Sequence, residues 1–401
     1  MVTPMPPRAQ APGAIPVVLH AQLQGLRLRH AVTLVTVAGP DPDEAEAVQA
    51  LIADGVPVKA ALRTEPHGSA RWRRRWRFST QWLKGQWPWR TVWFWDAQVQ
   101  RLLEAELHSR RYDLIQIEDN AMGVYEYPAA IPKVFTEHEV RRPRRVAWPK
   151  GAASSWPGWA LSEADWQRWP DYQRRVWQKF DRLQVFTQRD AESLKGMAPD
   201  LAGRVRVNPF GIELPPLDQP EAEAADQLLF IGNFTHPPNA DAALWLGQAI
   251  LPRVQAQRPK VHLTLVGILP PPEVQSLAGD HITVTGPVAD IGPYFRRASV
   301  CVAPVRIGGG MRTKVLQAMA YGKAVVTTTR GAEGLSLGGI QLPLATADDA
   351  EGIARAAVDL LADDGRRHAL GQAARTYVAE HFSPQAYTTR QEAIYAELSP
   401  P

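Results

Sequence analysis

The stretch from Val305 to Thr329, VRIGGGMRTKVLQAMAYGKAVVTTT, combines residue types that suit one task, the holding of a polyanion. Gly308, Gly309 and Gly310 carry no Cβ, so their backbone N–H groups can approach a ligand closely. A helix is expected from about Met311 to Tyr321. Its N-terminal end, positive through the sum of the peptide dipoles, meets the same spot. Arg312 and Lys314 add two cations. The guest that fits is a diphosphate. A plain turn entering a buried helix also explains the glycines and alanines, but not the basic pair with a strand after the helix.

Other residues with chemistry lie at expected strand ends. His138, in VFTEHEVRR, follows a strand and has Glu137, Glu139 and Arg141 around it. Glu118 follows YDLIQI, and Glu333 stands in GAEGL after another strand. Asn233, Phe234 and Asn239 line the loop after LLFIG. A surface histidine, a capping carboxylate or a salt bridge are the plain alternatives for these side chains.

The elements that must position them alternate strand and helix. In the first half, strands are expected at Ala31–Val37, Val56–Leu62, Tyr112–Ile117, Lys133–Glu137, Asp181–Phe186 and Arg204–Asn208. Helices are expected at Asp43–Asp54 and Asp96–Ser109, the latter with Val99, Leu102, Leu103 and Leu107 on one face. ELPPLDQPEAEAADQ has proline and acid without periodicity, which marks a linker. The pattern then restarts with strands at Leu228–Gly232, Val261–Gly267, Ile282–Gly286, Ser299–Pro304 and Ala324–Thr328. Helices are expected at Asn239–Gln257, Ile291–Ala298 and Asp348–Ala362, with helical sequence on through Tyr377. Near-continuous apolar strands in β-x-α units imply parallel sheets covered on both faces. The expected organisation is an N-terminal domain (1–213), a linker (214–227), a second domain (228–380) and a C-terminal helix (381–401). Two such α/β domains in tandem leave a cleft between the carboxyl ends of their strands, where ligands of this fold class bind.

Composition bounds the possibilities. At 401 residues, 45% hydrophobic and 21% charged, the chain can bury two cores. A single cysteine, Cys301, excludes a disulfide framework and a cysteine zinc site. No apolar run approaches the ~20 residues that span a bilayer, and the N-terminus lacks a signal-peptide pattern, so a cytoplasmic protein is expected. The net charge of +4 is uneven, concentrated in RWRRRWR (Arg71–Arg77) and RRPRR (Arg141–Arg145). The segment Arg71–Trp95 holds seven of the 14 tryptophans and seven basic residues. It suits an anionic membrane surface, possible for an enzyme with a lipid-linked acceptor, or simply packs its tryptophans on its own domain with arginines in water. No nucleic-acid motif accompanies it, and no nucleic-acid partner is expected.

The second half resembles the nucleotide-binding domain of GT-B glycosyltransferases, specifically the family-4 retaining group. FIGNFTHPPNADAALWL is similar to the first strand and loop of that domain, and GGGMRTKVLQAMAYGKAVVTTTRGAEGL to a glycine-rich subgroup. APGA (Ala11–Ala14) resembles the glycine loop after the first N-domain strand, and NPFGIE the element at the domain junction. The resemblance implies two Rossmann-like domains facing each other across a cleft and transfer of a sugar from a nucleotide-diphosphate donor to a glycan or lipid-linked acceptor. It implies retention and no strong base; separately, no aspartate pair stands in a strand-end context like that of metal-dependent transferases, so no metal, and no cofactor beyond the donor, is expected. Carried onto this sequence, it makes His138, Arg312 and Lys314 catalytic. It gives the donor Gly13, Asn233, Phe234, Asn239, Gly308, Gly309, Gly310, Met311, Thr313, Gln317 and Glu333, and the acceptor Glu118, Glu137 and Arg141. Two departures matter. The family's paired glutamates map to Gly309 and Gln317, and glutamine accepts a ribose hydroxyl without charge, a bond about half as strong. A non-catalytic nucleotide or polyanion binder, or a sugar-nucleotide epimerase of the same fold, remains the alternative. Tyr387, Ile394, Tyr395 and Leu398 give the last helix an apolar face expected to dock on the first domain.

Overall fold

A computed structural model of the chain describes residues 1–9, 14–63, 76, 79–80, 82–84, 87–142, 156–216, 223–308, 311–337 and 339–398. The chain forms two compact units. One comprises Met1–Arg8, Leu23–Asn208 and Arg390–Pro401; the other comprises Ala9–Gln22 and Pro209–Thr389.

The first unit is built on β1 (Val2–Thr3), β2 (Leu34–Ala38), β3 (Val58–Leu62), β4 (Ile115–Glu118), β5 (Lys133–Glu137), β6 (Arg182–Val185) and β7 (Val205–Val207). Their order is β3-β2-β1-β4-β5-β6-β7, with every pair parallel. β4 and β5 are buried along their whole length, as central strands covered on both faces must be. Phe135 and Phe180 stack at 4.6 Å within this core, with Trp177 fully buried in the same cluster. The helices Pro42–Ala53, Ala97–Ser109 and Gln188–Met197 start where Asp41, Asp96 and Thr187 accept a first-turn N–H, a cap worth about 1 kcal/mol each. Residues from Arg390 on belong to this unit. Gln391 and Tyr395 both donate to the buried Gln116 at 3.2 Å, and Glu397 pairs with Arg182 and Arg206.

The second unit holds β8 (Gln227–Ile231), β9 (His262–Val266), β10 (Ile282–Val284), β11 (Val300–Ala303), β12 (Ala324–Thr327) and β13 (Ala345–Thr346). They run β10-β9-β8-β11-β12-β13, again all parallel. Counted from each unit's first strand, both sheets begin 3-2-1-4-5-6, the doubly wound Rossmann order. The order reverses between β1 and β4, and between β8 and β11. Open sheets of this kind bind ligands at the carboxyl ends of the strands beside the reversal. The ends of β4, β8 and β11 are therefore where functional side chains are to be sought.

Several elements differ from expectation. The helix expected over Asn239–Gln257 is split into Pro237–Trp245, a widened turn at Leu246–Ile250 and Leu251–Gln255. Pro252 lacks an N–H and its ring clashes with the carbonyl four residues back, so the preceding turn opens. The helix expected from Met311 starts at Thr313, because Arg312 has φ −96° and ψ 88°. The helices Ala14–Arg27, Trp156–Trp166 and Trp169–Trp177 were not expected.

Candidate active site

In the second unit, β8 ends at Ile231 and the chain turns at Gly232. A Cβ on Gly232 would lie 3.0 Å from the side chain of Asn239, and one on Gly267 would lie 1.7 Å from the Gly232 carbonyl oxygen. Glycine alone lets the ends of β8 and β9 meet with Asn239 against them. Asn239 Nδ2 donates to the Asn233 carbonyl at 2.6 Å, and its Oδ1 accepts from Lys314 Nζ at 2.7 Å. Lys314 lies in the first turn of the helix Thr313–Ala320, its Nζ 5.8 Å above the Phe230 ring. Burial, with the charge of Arg312 added, pushes its ammonium down to about 8. The hydrogen-bond partner of that ammonium is a neutral amide, and among the described residues no carboxylate acts to hold its charge.

No side chain caps the start of this helix. Its first N–H groups point out of the end of β11 with their partial positive charge. Arg312, at the cap position, is only 7% exposed. Gly308 has φ +98°, and a Cβ there would lie 3.6 Å from both terminal nitrogens of Arg312. On the opposite side, Arg330 Nη1 donates to the Gly308 carbonyl at 3.0 Å. Cations from two segments thus converge on one glycine. By contrast, Arg306 is paired with Asp241 at 2.6 Å and stacks on Trp245.

The loop after β12 holds this arrangement. Thr328 Oγ1 donates to the Val305 carbonyl and accepts from the Gly331 N–H, and Thr327 Oγ1 donates to the Ala303 carbonyl. A Cβ on Gly331 would fall 1.9 Å from Thr327 Oγ1. Tyr377 donates to the Leu335 carbonyl at 2.7 Å, which pins the turn that carries Glu333. Gln317 lies one helical turn beyond Thr313, half-buried, and its side chain makes no hydrogen bond among those described. Met311 is buried beside Arg312 and Thr313 is half-buried. Phe234 is 4% exposed and belongs to the core with Phe230, and Asn239 faces Lys314 and Asn233 in the interior. Asn233 spends its side-chain oxygen on the N–H and hydroxyl of Thr235. Gly13, Gly309 and Gly310 lie outside the described residues.

In the first unit, the ends of β4 and β5 carry a polar network. Glu118 is fully buried and accepts from Gln116 Nε2 at 2.8 Å, Thr136 Oγ1 at 3.1 Å and His138 Nε2 at 2.8 Å. Burial works to lower the pKa of His138, but the hydrogen bond and charge of Glu118, with Asp119 behind, raise it above the ordinary value. Glu137 is likewise interior, where it accepts from Trp177 Nε1 at 2.9 Å, Gln173 Nε2 at 3.2 Å, the Glu139 N–H at 3.2 Å and Asn120. Burial pushes its carboxyl up to about 8. Glu118 and Glu137 are thus both enclosed by protein donors. Arg141 stacks on Trp169 at 3.8 Å and pairs with Glu139 at 3.3 Å.

The sequence reading missed Arg330, Thr328, Tyr377 and Asn120. Arg330 and Thr328 sit in TTTRGAEGL at a strand's carboxyl end, a signal that was present. Tyr377 reaches its loop from a distant helix and left none. Of the Trp/Arg-rich segment, most lies outside the described residues. Trp82 donates to Asp165 at 2.8 Å and takes Arg168 on its face, whereas Trp76 and Leu83 are more than 70% exposed. Among the described residues no group of three His, Cys, Asp or Glu could hold a metal, and no helix is long and apolar enough to cross a membrane.

Residues 225–363 match the family of glycosyl transferases group 1. A stretch of 182 residues, 44% of this chain, is 32% identical to the phosphatidyl-myo-inositol mannosyltransferase of Mycolicibacterium smegmatis. It covers 46% of that protein, so the chain matches about half the length of this relative. Among solved structures, Anabaena HepE in complex with UDP and glucose has a TM-score of 0.65 at 15% identity over 99% of both chains. Sucrose-phosphate synthase from Thermosynechococcus elongatus has 0.64 at 18% identity, over 99% of this chain and 98% of that one. The trehalose-6-phosphate synthase OtsA has 0.62 at 10% identity over the whole of both. At such identities these likenesses speak to the fold, and the fold is GT-B.

Proposed function

We propose that the chain is a glycosyltransferase that moves a sugar from a nucleoside diphosphate donor to a glycan or lipid-linked acceptor, with retention and without a metal ion. The observation that carries this reading is the uncapped start of the helix Thr313–Ala320. It opens at the strand reversal of its sheet, with Arg312, Lys314 and the Gly308 turn beside it. When the sugar leaves, negative charge builds on the departing diphosphate. Preorganised cations and N–H groups aimed at that charge lower the barrier, and in a desolvated site they do so strongly. On this reading Gln317 accepts from the ribose and Glu333 meets the sugar. His138 serves the acceptor side.

The family match over the second unit supports this reading, as do the mannosyltransferase named among the relatives and the UDP in the HepE structure. Exposed Trp76 and Leu83 in the Trp/Arg-rich segment support a peripheral contact with an anionic membrane and hence a lipid-linked acceptor. Incubation with UDP-, GDP- and ADP-sugars, with and without EDTA, tests the activity. Release of nucleoside diphosphate insensitive to EDTA is expected, and its loss in the Arg312→Ala, Lys314→Ala double variant. Binding without release indicates a binder, and interconverted sugars an epimerase. Release unchanged in the double variant removes those two residues from the site.

A further inference from the structure

The carboxylate of Glu118 is fully buried and is met by three donors. Oε1 takes Gln116 and Thr136, and Oε2 takes His138 Nε2. A carboxylate among donors accepts only, so the proton on that side of the imidazole stays on Nε2. The ring is held in its plane by Phe186, whose centroid lies 5.0 Å away at an edge-on 69°. His138 Nδ1 has no hydrogen bond among those described, so it is the ring atom left to a ligand. Its protonation decides the chemistry. A neutral ring with Nε2–H presents a lone pair at Nδ1 and can act as a base. A charged ring presents Nδ1–H and can only donate.

The surroundings favour the charged ring. From β4 and its end, Glu118 and Asp119 face His138; from β5 comes Glu137, whose carboxyl burial keeps protonated below about 8 so that it adds charge only above that; from the end of β6 comes the apolar Phe186. Glu118 itself is also faced by Tyr395 and by the amino group of Met1. Arg141, three residues on, is turned to Glu139 and the Trp169 face.

We propose that Glu118 is a positioning residue that fixes His138 with Nε2–H on the buried carboxylate and Nδ1–H outward. His138 is then a cationic hydrogen-bond donor to a hydroxyl or phosphate oxygen of a substrate and not the base for the acceptor. The proposal rests on the transferase reading for its substrate, but its central claim concerns the unliganded chain. The imidazolium stabilises negative charge at that oxygen and leaves the acceptor's proton to the departing phosphate, so no proton passes through His138.

The test is an NMR titration of the His138 ring in the full chain, assigned with His138→Gln, beside the pH profile of nucleoside diphosphate release. In the wild type His138 should titrate above the ordinary histidine value of about 6.5. Release should fall as pH rises through that midpoint. In Glu118→Gln, which keeps the size and an acceptor but not the charge, the midpoint and the fall in rate should both move down by about one pH unit or more. A purely structural role would scale the rate equally at every pH. The proposal is overturned if the wild-type ring titrates at or below the ordinary value, or if release climbs through the midpoint as a base requires. An unmoved midpoint in Glu118→Gln also overturns it. Should that variant not fold, the two wild-type measurements still decide. Should no donor be turned over, the transferase reading fails while the titration still judges the pair.

Discussion

Lys314 Nζ donates to Asn239 Oδ1 at 2.7 Å, joining the first turn of one helix to the first turn of another 75 residues away. The bond aims the ammonium but does not neutralise it, and burial holds the group down at about 8. A cation with that value is present at neutral pH and lost on mild alkalinisation. UDP, whose phosphates are ionised across this range, should therefore bind more weakly as pH rises from about 7.5 to about 9, by up to about tenfold for one charged hydrogen bond of ~1.5 kcal/mol. Lys314→Arg keeps its charge throughout and should lose this dependence. Calorimetry at the two pH values checks it, and equal wild-type affinity at both would place Lys314 away from the phosphates.

The same group has a stability signature. The folded ammonium gives up its proton near pH 8, the unfolded one only at 10.5. Between those values the unfolded state binds more protons, so folding stability contributed by this site rises with pH. Lys314→Met should be more stable than wild type below pH 8, with the advantage shrinking towards pH 10.5. Urea denaturation of both proteins at pH 7 and 10 measures the difference.

Gln317 offers a neutral acceptor one helical turn from the proposed phosphate site. Replacing it by glutamate restores a charge-assisted bond to a ribose hydroxyl. The gain expected is about 1 kcal/mol, or roughly fivefold in UDP affinity. No gain, together with unchanged folding, would mean that the ribose lies elsewhere.

A Cβ on Gly267 would overlap the Gly232 carbonyl oxygen at 1.7 Å, and backbone on both sides leaves nothing flexible to yield. Gly267→Ala should cost about 3 kcal/mol or more, since the ends of β8 and β9 must part. For a domain of this size that lowers the melting temperature by about 6–12 °C. UDP affinity should fall too, because Asn239 and with it Lys314 are seated against that junction. A melting temperature within 2 °C of wild type, about 0.5 kcal/mol, would refute the packing argument.

Much of this was legible in the sequence because strand cores and glycine turns are local features. β5 was expected at the residues it occupies, and β4, β6, β8 and β12 within a few, since each is an apolar run between turn residues. Gly308, Arg312 and Lys314 were legible for the same reason: they lie within seven residues of one another. What escaped depends on distant partners. Phe234 follows a glycine in a loop, yet its ring turns inward onto Phe230. Glu118 and Glu137 stand at strand ends as expected of site residues. The enclosure of Glu118 is decided by Gln116, Thr136 and His138, and that of Glu137 by Gln173 and Trp177, on a helix that the sequence pattern did not reveal. Arg330 touches Gly308 across 22 residues, because β11 and β12 are neighbours in the sheet.

Glu137 offers a final check on that enclosure. Its donors, Trp177, Gln173, Asn120 and the Glu139 N–H, favour the ionised carboxylate, and burial opposes it and wins, holding the carboxyl at about 8 against 4.5 when exposed. Between those values the folded state binds more protons than the unfolded. Stability from this site is therefore fully present below pH 4.5 and is lost as pH rises through 8. Glu137→Gln cannot ionise and should escape the loss. Its amide also forfeits hydrogen bonds by facing donors with donors, so it starts less stable. The gap to wild type should then narrow by about 2–4 kcal/mol between pH 5 and 8.5. Denaturation at those two pH values measures the gap. One that stays constant would mean that the donors hold Glu137 ionised throughout, with a fixed negative charge beside His138 at every pH.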